Sequence, residues 1–157
     1  MSENLPYIIR HATERDVPQL WQLMRELAIF ERYIDRFCVT EEIIRKQGFQ
    51  KEHPDFHALV AENVHTKELG AMLVYYFIPF TVTARPTLFI KELYVAEHLR
   101  RKGIGKILFD AIKKEAAAAH CSNIQWKVAP WNQSAIRFYE REGAKPNNDW
   151  IDYEIKV

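Results

Sequence analysis

Glycine is scarce in this chain: five in 157 residues, beside seven prolines. So little of both excludes a collagen-like or low-complexity polymer. Cysteine is scarcer still. Cys38 and Cys121 cannot build a disulfide framework, and they fit a reducing, cytoplasmic setting. Long apolar runs are missing as well. None approaches the roughly 18 residues of a membrane span, and the start at Met1 lacks the basic-then-apolar pattern of a secretion signal. Nor is there an excess of one charge: 22 Lys and Arg stand against 21 Asp and Glu, a net charge of +1. The whole molecule is therefore no nucleic-acid binder, and any basic site must be local. Histidines are scattered. His53 and His57 are four apart, but Pro54 argues against a shared helix, so no metal site is expected.

What is present fits one domain over residues 1–157. Tyr7–Arg10 reads as a first strand. Behind the capping segment Thr13–Asp16, the residues Val17, Leu20, Met24, Leu27 and Ala28 recur at helical spacing. A second helix is expected from Thr40, its N-cap, to Lys46, with Gly48 near its end. Strands are expected at 56–62 and 69–79, joined by the polar turn 63–67, and again at 87–95 and 123–128. Helices are expected at 105–119 and 132–142, the latter closed by Gly143. The alternation of Ile151, Tyr153, Ile155 and Val157 predicts a last strand. The order is a mixed α/β (α+β) fold with helices on both faces of one sheet.

The segment leaving strand 87–95 and opening the next helix carries the strongest chemical signal. It reads Arg100-Arg101-Lys102-Gly103-Ile104-Gly105-Lys106. Glycines allow backbone N–H groups to approach a ligand, and a helix N-terminus favours an anion. A solvated glycine turn is the plain alternative. Neither a nucleotide P-loop nor a G-x-G-x-x-G fingerprint is present.

Through Arg100-x-x-Gly103-x-Gly105 the chain resembles the GNAT family of N-acetyltransferases. The stretches Arg25–Glu31, Trp131-Asn132 and Phe138–Ala144 are similar to the branch holding the spermidine/spermine and thialysine acetyltransferases. The resemblance implies a mixed, mostly antiparallel sheet splayed between strands 87–95 and 123–128, with acetyl-CoA as co-substrate in the opening. Pro130 has no N–H to donate, so pairing should fail near it. The resemblance assigns the pantetheine arm and thioester to Leu93, Tyr94 and Val95. The pyrophosphate falls to Arg100, Arg101, Lys102, Gly103, Ile104, Gly105 and Lys106. Asn132, Ser134, Ala135 and Tyr139 complete the cofactor set, and Gln133 lies among them. Tyr139 faces the sulfur.

Glu92 is the expected base, because a carboxylate inside an apolar strand is expensive unless partnered or functional. An ion pair with Lys91 is its structural alternative. The acceptor side is expected to hold Phe30, Glu31, Lys91, Glu92 and Trp126. Glu26, earlier on the same helix, is expected to face elsewhere. The branch carries two adjacent acids where this chain has Lys91 and Glu92, which turns the expectation from polyamines toward a smaller or amino-acid-like amine. Direct acetylation of a primary amine on a small molecule (diamine, polyamine or amino-acid-like), by a homodimer in the cytoplasm, is the leading reading. A non-catalytic acyl-CoA sensor and a protein lysine or N-terminal acetyltransferase stand beside it.

Overall fold

Among the described residues, five strands and four α-helices follow one another. The structure is a computed structural model and describes residues 5–157. It forms two compact units, one ending at Lys127 and one running from Val128 to Val157.

The first unit holds β1 (Tyr7–His11), α1 (Val17–Phe30), α2 (Glu41–Gly48), β2 (His57–Asn63), β3 (Leu69–Ile78), β4 (Thr87–Val95), α3 (Ile104–Ala118) and β5 (Asn123–Trp126). The strands form one sheet in the order β1-β2-β3-β4-β5. Each neighbouring pair is antiparallel except β4 and β5, which run parallel. The sheet is therefore mixed and mostly antiparallel, as the resemblance implied.

Helix α1 forms where its apolar residues share a face. Val17, Leu20, Met24, Leu27 and Ala28 are all buried. Val17, Leu20, Met24 and Leu27 pack with Ile44 of α2 against Ala58, Val60, Met72, Val74 and Tyr94 of the sheet. The Thr40 hydroxyl accepts the Ile43 N–H at 3.2 Å and starts α2. Helix α3 covers the opposite face, burying Ile104, Leu108 and Ile112, and its Glu115 accepts the Tyr75 hydroxyl of β3. The β2–β3 turn is set by Asn63, whose Oδ1 accepts the N–H groups of His65 and Thr66.

The second unit contains α4 (Gln133–Arg141). The Asn132 side chain accepts the Ala135 N–H and begins the helix. Gly143, at φ 87°, ends it, with the Ala144 N–H bonded to the Tyr139 carbonyl.

The expected last strand does not form. Residues 150–157 have no regular structure, and Trp150, Ile151, Tyr153 and Ile155 are each at least 79% exposed. Alternation alone does not make a strand: its stability comes from cross-strand pairs, and this segment has none among the described residues.

Candidate active site

The ladders on the two sides of β4 break at one place. Toward β3, Val74 pairs with Glu92 and Tyr75 pairs with Ile90, so Lys91 is an extra residue. Such a bulge bends and twists a strand and re-aims side chains. Toward β5, the ladder runs from Thr87–Asn123 to Ile90–Trp126 and stops. Beyond it, Lys91–Val95 has no β5 partner. The split thus begins after the Ile90–Trp126 pair, beside the bulge; Trp126 is four residues ahead of Pro130, to which the sequence alone attributes the split.

The bulge leaves Glu92 on the α1 face, level with Val74 and Tyr94. Its Oε2 is buried and has no hydrogen-bond partner among the described residues. Burial pushes the carboxyl above the usual carboxylate range; Lys91 opposes this and Glu31 adds to it. Glu31 is itself raised by burial and lowered by Lys91. The structure therefore brings Glu31, Lys91 and Glu92 into one electrostatic cluster.

A fourth member, Tyr33, escapes the sequence reading. Burial pushes its phenol well above the ordinary value, and the charges of Glu92 and Glu31 push the same way. Its position follows from how α1 ends. Arg32 adopts φ 65°, its N–H bonds to the Ile29 carbonyl, and the Tyr33 N–H bonds to the Ala28 carbonyl. This helix-closing turn ordinarily uses glycine. The left-handed arginine gives no signal in a single sequence, so Tyr33 reads as an ordinary loop aromatic.

Trp126 lies apart from this cluster. Its pairing with Ile90 puts it on the α3 face, where it meets the Phe109 ring edge-on at 5.4 Å. Glu26 is not among the charges acting on Glu31 or Glu92. It turns toward β4, where its carboxylate adjoins the Tyr94 hydroxyl and, after burial, helps raise it.

The basic loop lies beyond β4. Arg101 has φ 62° and Gly103 has φ 88°. These left-handed residues turn the chain into α3. A residue other than glycine would be strained at Gly103 by its backbone, although the space around it is open. The first intrahelical bond runs from the Ile107 N–H to the Gly103 carbonyl, so the N–H groups of Ile104 and Gly105 lie ahead of the helical ladder. No side chain caps this end, and the first turn holds no acid. The cationic side chains are not equivalent. Arg101 and Lys102 are exposed. Lys106 pairs with Asp110 at 3.1 Å. Arg100 turns inward: its Nε donates to the Val95 carbonyl at 3.0 Å.

In the second unit, Asn132 is the N-cap of α4, and Tyr139 lies seven residues on, inside the helix. Tyr139 meets the Phe138 ring at 5.5 Å. Ser134 is exposed and Ala135 half-buried in the first turn.

A split parallel strand pair, followed by an uncapped helix behind a glycine loop, matches a known family. The acetyltransferase (GNAT) family model matches residues 20–144. The chain belongs to the GNAT acetyltransferase family. It is 32% identical to a thialysine N-epsilon-acetyltransferase of Mus musculus, over 94% of this chain and 91% of that protein. It is 27% identical to an L-ornithine N5-acetyltransferase of Arabidopsis thaliana, over 90% of this chain and 81% of that one. Among solved structures, an aminoglycoside acetyltransferase from an uncultured soil metagenomic sample, in complex with trehalose, superposes with a TM-score of 0.81. That pair shares 18% identity over 98% of each chain, which shows the common fold. GNAT enzymes draw their acetyl group from an acyl-CoA. The residues here fit that donor: an acid-free first turn and its N–H groups suit a pyrophosphate. Among the described residues, no His, Cys, Asp and Glu cluster could hold a metal, and no helix is long and apolar enough to cross a membrane.

Proposed function

We propose that this chain transfers the acetyl group of acetyl-CoA to the side-chain amine of a small amino acid. The observation that carries the reading is the buried, unpartnered Oε2 of Glu92 beside Lys91. A buried carboxylate oxygen without a donor is costly. An acceptor ammonium supplies the missing donor. Lys91 supplies a cation for a substrate carboxylate, which a diamine lacks. The thialysine and ornithine specificities named for two relatives agree with this pairing of charges.

The family match spans residues on both sides of Lys127, which supports one working domain. A primary alkylamine has a pKa of about 10.4, so deprotonation at pH 7 costs about 4.6 kcal/mol. Glu92, its carboxyl raised by burial, accepts that proton. The amine nitrogen then bonds to the acetyl carbon as the carbon–sulfur bond breaks, and the second proton the nitrogen sheds in becoming an amide neutralises the departing thiolate. Backbone N–H groups near Val95 stabilise the charge that develops on the thioester oxygen. Tyr139 donates a hydrogen bond to the departing sulfur. A phenol of pKa about 10 is a weak acid beside a thiol of about 8.5, so hydrogen bonding is its main contribution. Leu93, Tyr94, the backbone of the loop 100–106, Asn132, Ser134 and Ala135 hold the donor in this reading. Phe30 and Glu31 border the acceptor.

The exposed apolar segment 150–157 supports assembly as a homodimer. The free thiols of Cys38 and Cys121 agree with a cytoplasmic setting.

Thiol release from acetyl-CoA tests the function. L-lysine, L-ornithine and thialysine should respond; diamines, polyamines and lysine peptides should respond weakly. Preference for a lysine peptide would favour a protein acetyltransferase. Acetyl-CoA binding without turnover on any amine would favour a sensor.

A further inference from the structure

Arg100 opens the basic loop, and the resemblance assigns it to the pyrophosphate. Its surroundings describe a different task. The guanidinium carbon lies 4.6 Å from the centroid of the Phe30 ring and 5.4 Å from that of Tyr94. Its Nε donates to the Val95 carbonyl at 3.0 Å. One side chain thus joins the last residue of α1, an aromatic of β4, and the backbone where β4 ends.

A second link runs parallel to the first. Glu26 and Phe30 are one turn apart on the same face of α1. Glu26 adjoins the hydroxyl of Tyr94, the same tyrosine that the guanidinium overlies. Tyr94 is only 7% exposed, so it gives both links a fixed base. Glu31 and Tyr33 immediately follow Phe30. A shift of that ring moves both toward or away from Glu92.

We infer that Arg100 is a positioning residue that locks the acceptor end of α1 to the split end of β4, and that its side chain holds no phosphate. This rests on the proposed function, in which α1 ends at the acceptor and the loop backbone receives the cofactor. The shape of the group matters more than its charge. A planar guanidinium stacks on rings while donating sideways to a carbonyl; an ammonium cannot do both. Arg101 and Lys102 remain exposed for the phosphates.

Three full-length variants test the inference: Arg100→Lys, Arg100→Met and Phe30→Leu. Titration calorimetry gives the acetyl-CoA Kd, and hydrogen exchange reports opening of residues 28–33. Both measurements are independent of the acceptor. The expected result is an acetyl-CoA Kd within about twofold of the wild type for all three, with exchange at 28–33 faster by about tenfold. Arg100→Lys should resemble Arg100→Met, although it keeps the charge. The opposite pattern overturns the inference: Arg100→Met weakens acetyl-CoA about tenfold, Arg100→Lys binds normally, and exchange at 28–33 is unchanged. Phe30→Leu leaves the loop intact and carries the test if an Arg100 variant fails to fold. A wild-type chain that bound no acetyl-CoA would overturn the proposed function itself, and a normal Kd separates the two failures.

Discussion

Glu92 lies opposite Val74 across the β3–β4 ladder, on the face of the sheet that α1 covers. Its raised pKa follows first from that burial. The activity and stability consequences have opposite signs. Catalysis needs the ionised form, so kcat/KM should fall as pH drops through a value above the usual carboxylate range of about 4.3. Stability runs the other way. A carboxyl raised in the folded state binds its proton more tightly there, and its contribution is lost as pH rises through the folded value. Glu92→Gln should therefore lower kcat at least about 100-fold. It should also raise stability at pH 7 by roughly 1 kcal/mol, a Tm gain of about 3 °C. Thermal melts and a pH–rate profile check both; a variant that is less stable and fully active would refute the assignment.

The bounds of β4 and the core face of α1 are legible in the sequence because both rest on local periodicity. Thr87–Val95 is expected and found, and so are the five buried α1 positions. The acceptor cluster is only half legible. Glu31, Lys91 and Glu92 stand out as charges in apolar or aromatic settings. Tyr33 joins them through a left-handed turn at Arg32, and Trp126 is drawn to the α3 face by its partner Ile90. Both outcomes depend on tertiary register, which a local pattern does not encode. Arg100 shows the same limit: the loop motif identifies its backbone, while ring partners distant in sequence determine its side chain. The tail fails for a related reason, since its alternation describes a strand that lacks a neighbour.

Lys91 bears on substrate choice. As the extra residue of the bulge it is exposed, and its charge acts on both Glu31 and Glu92. Lys91→Glu inverts that charge without altering a buried contact. Preference should swing toward diamines, with kcat/KM for L-ornithine falling about tenfold or more relative to 1,3-diaminopropane. Unchanged relative specificity would remove Lys91 from substrate recognition.

Tyr139 lies inside α4, which Asn132 begins and the Gly143 turn ends. A hydrogen bond made to sulfur as charge builds acts on kcat rather than on ground-state binding. Tyr139→Phe should reduce kcat about 100-fold and change the acetyl-CoA KM less than about threefold. Steady-state kinetics decide it, and an unchanged kcat would sink the role.

Arg10 and Asp16 carry the clearest stability prediction outside the site. The Arg10 guanidinium donates to both Asp16 oxygens, at 2.7 and 2.9 Å, and to Glu62. The Thr13 N–H adds a bond to Asp16 Oδ2 at 2.7 Å. Burial works against the Asp16 charge, but the bonds from Arg10 and Thr13 outweigh it and hold the carboxyl below its usual range. This cluster fastens the turn that opens α1 to β1 and β2. A lowered folded pKa means that the contribution is present above the unfolded value, about 3.9, and is lost as pH falls through the folded one. Asp16→Asn should cost on the order of 2 kcal/mol at pH 7 and leave Arg10 paired with Glu62 alone. The difference between wild type and variant should shrink steadily in urea melts below about pH 4. A pH-independent difference would mean that packing, not the ion pair, accounts for the loss.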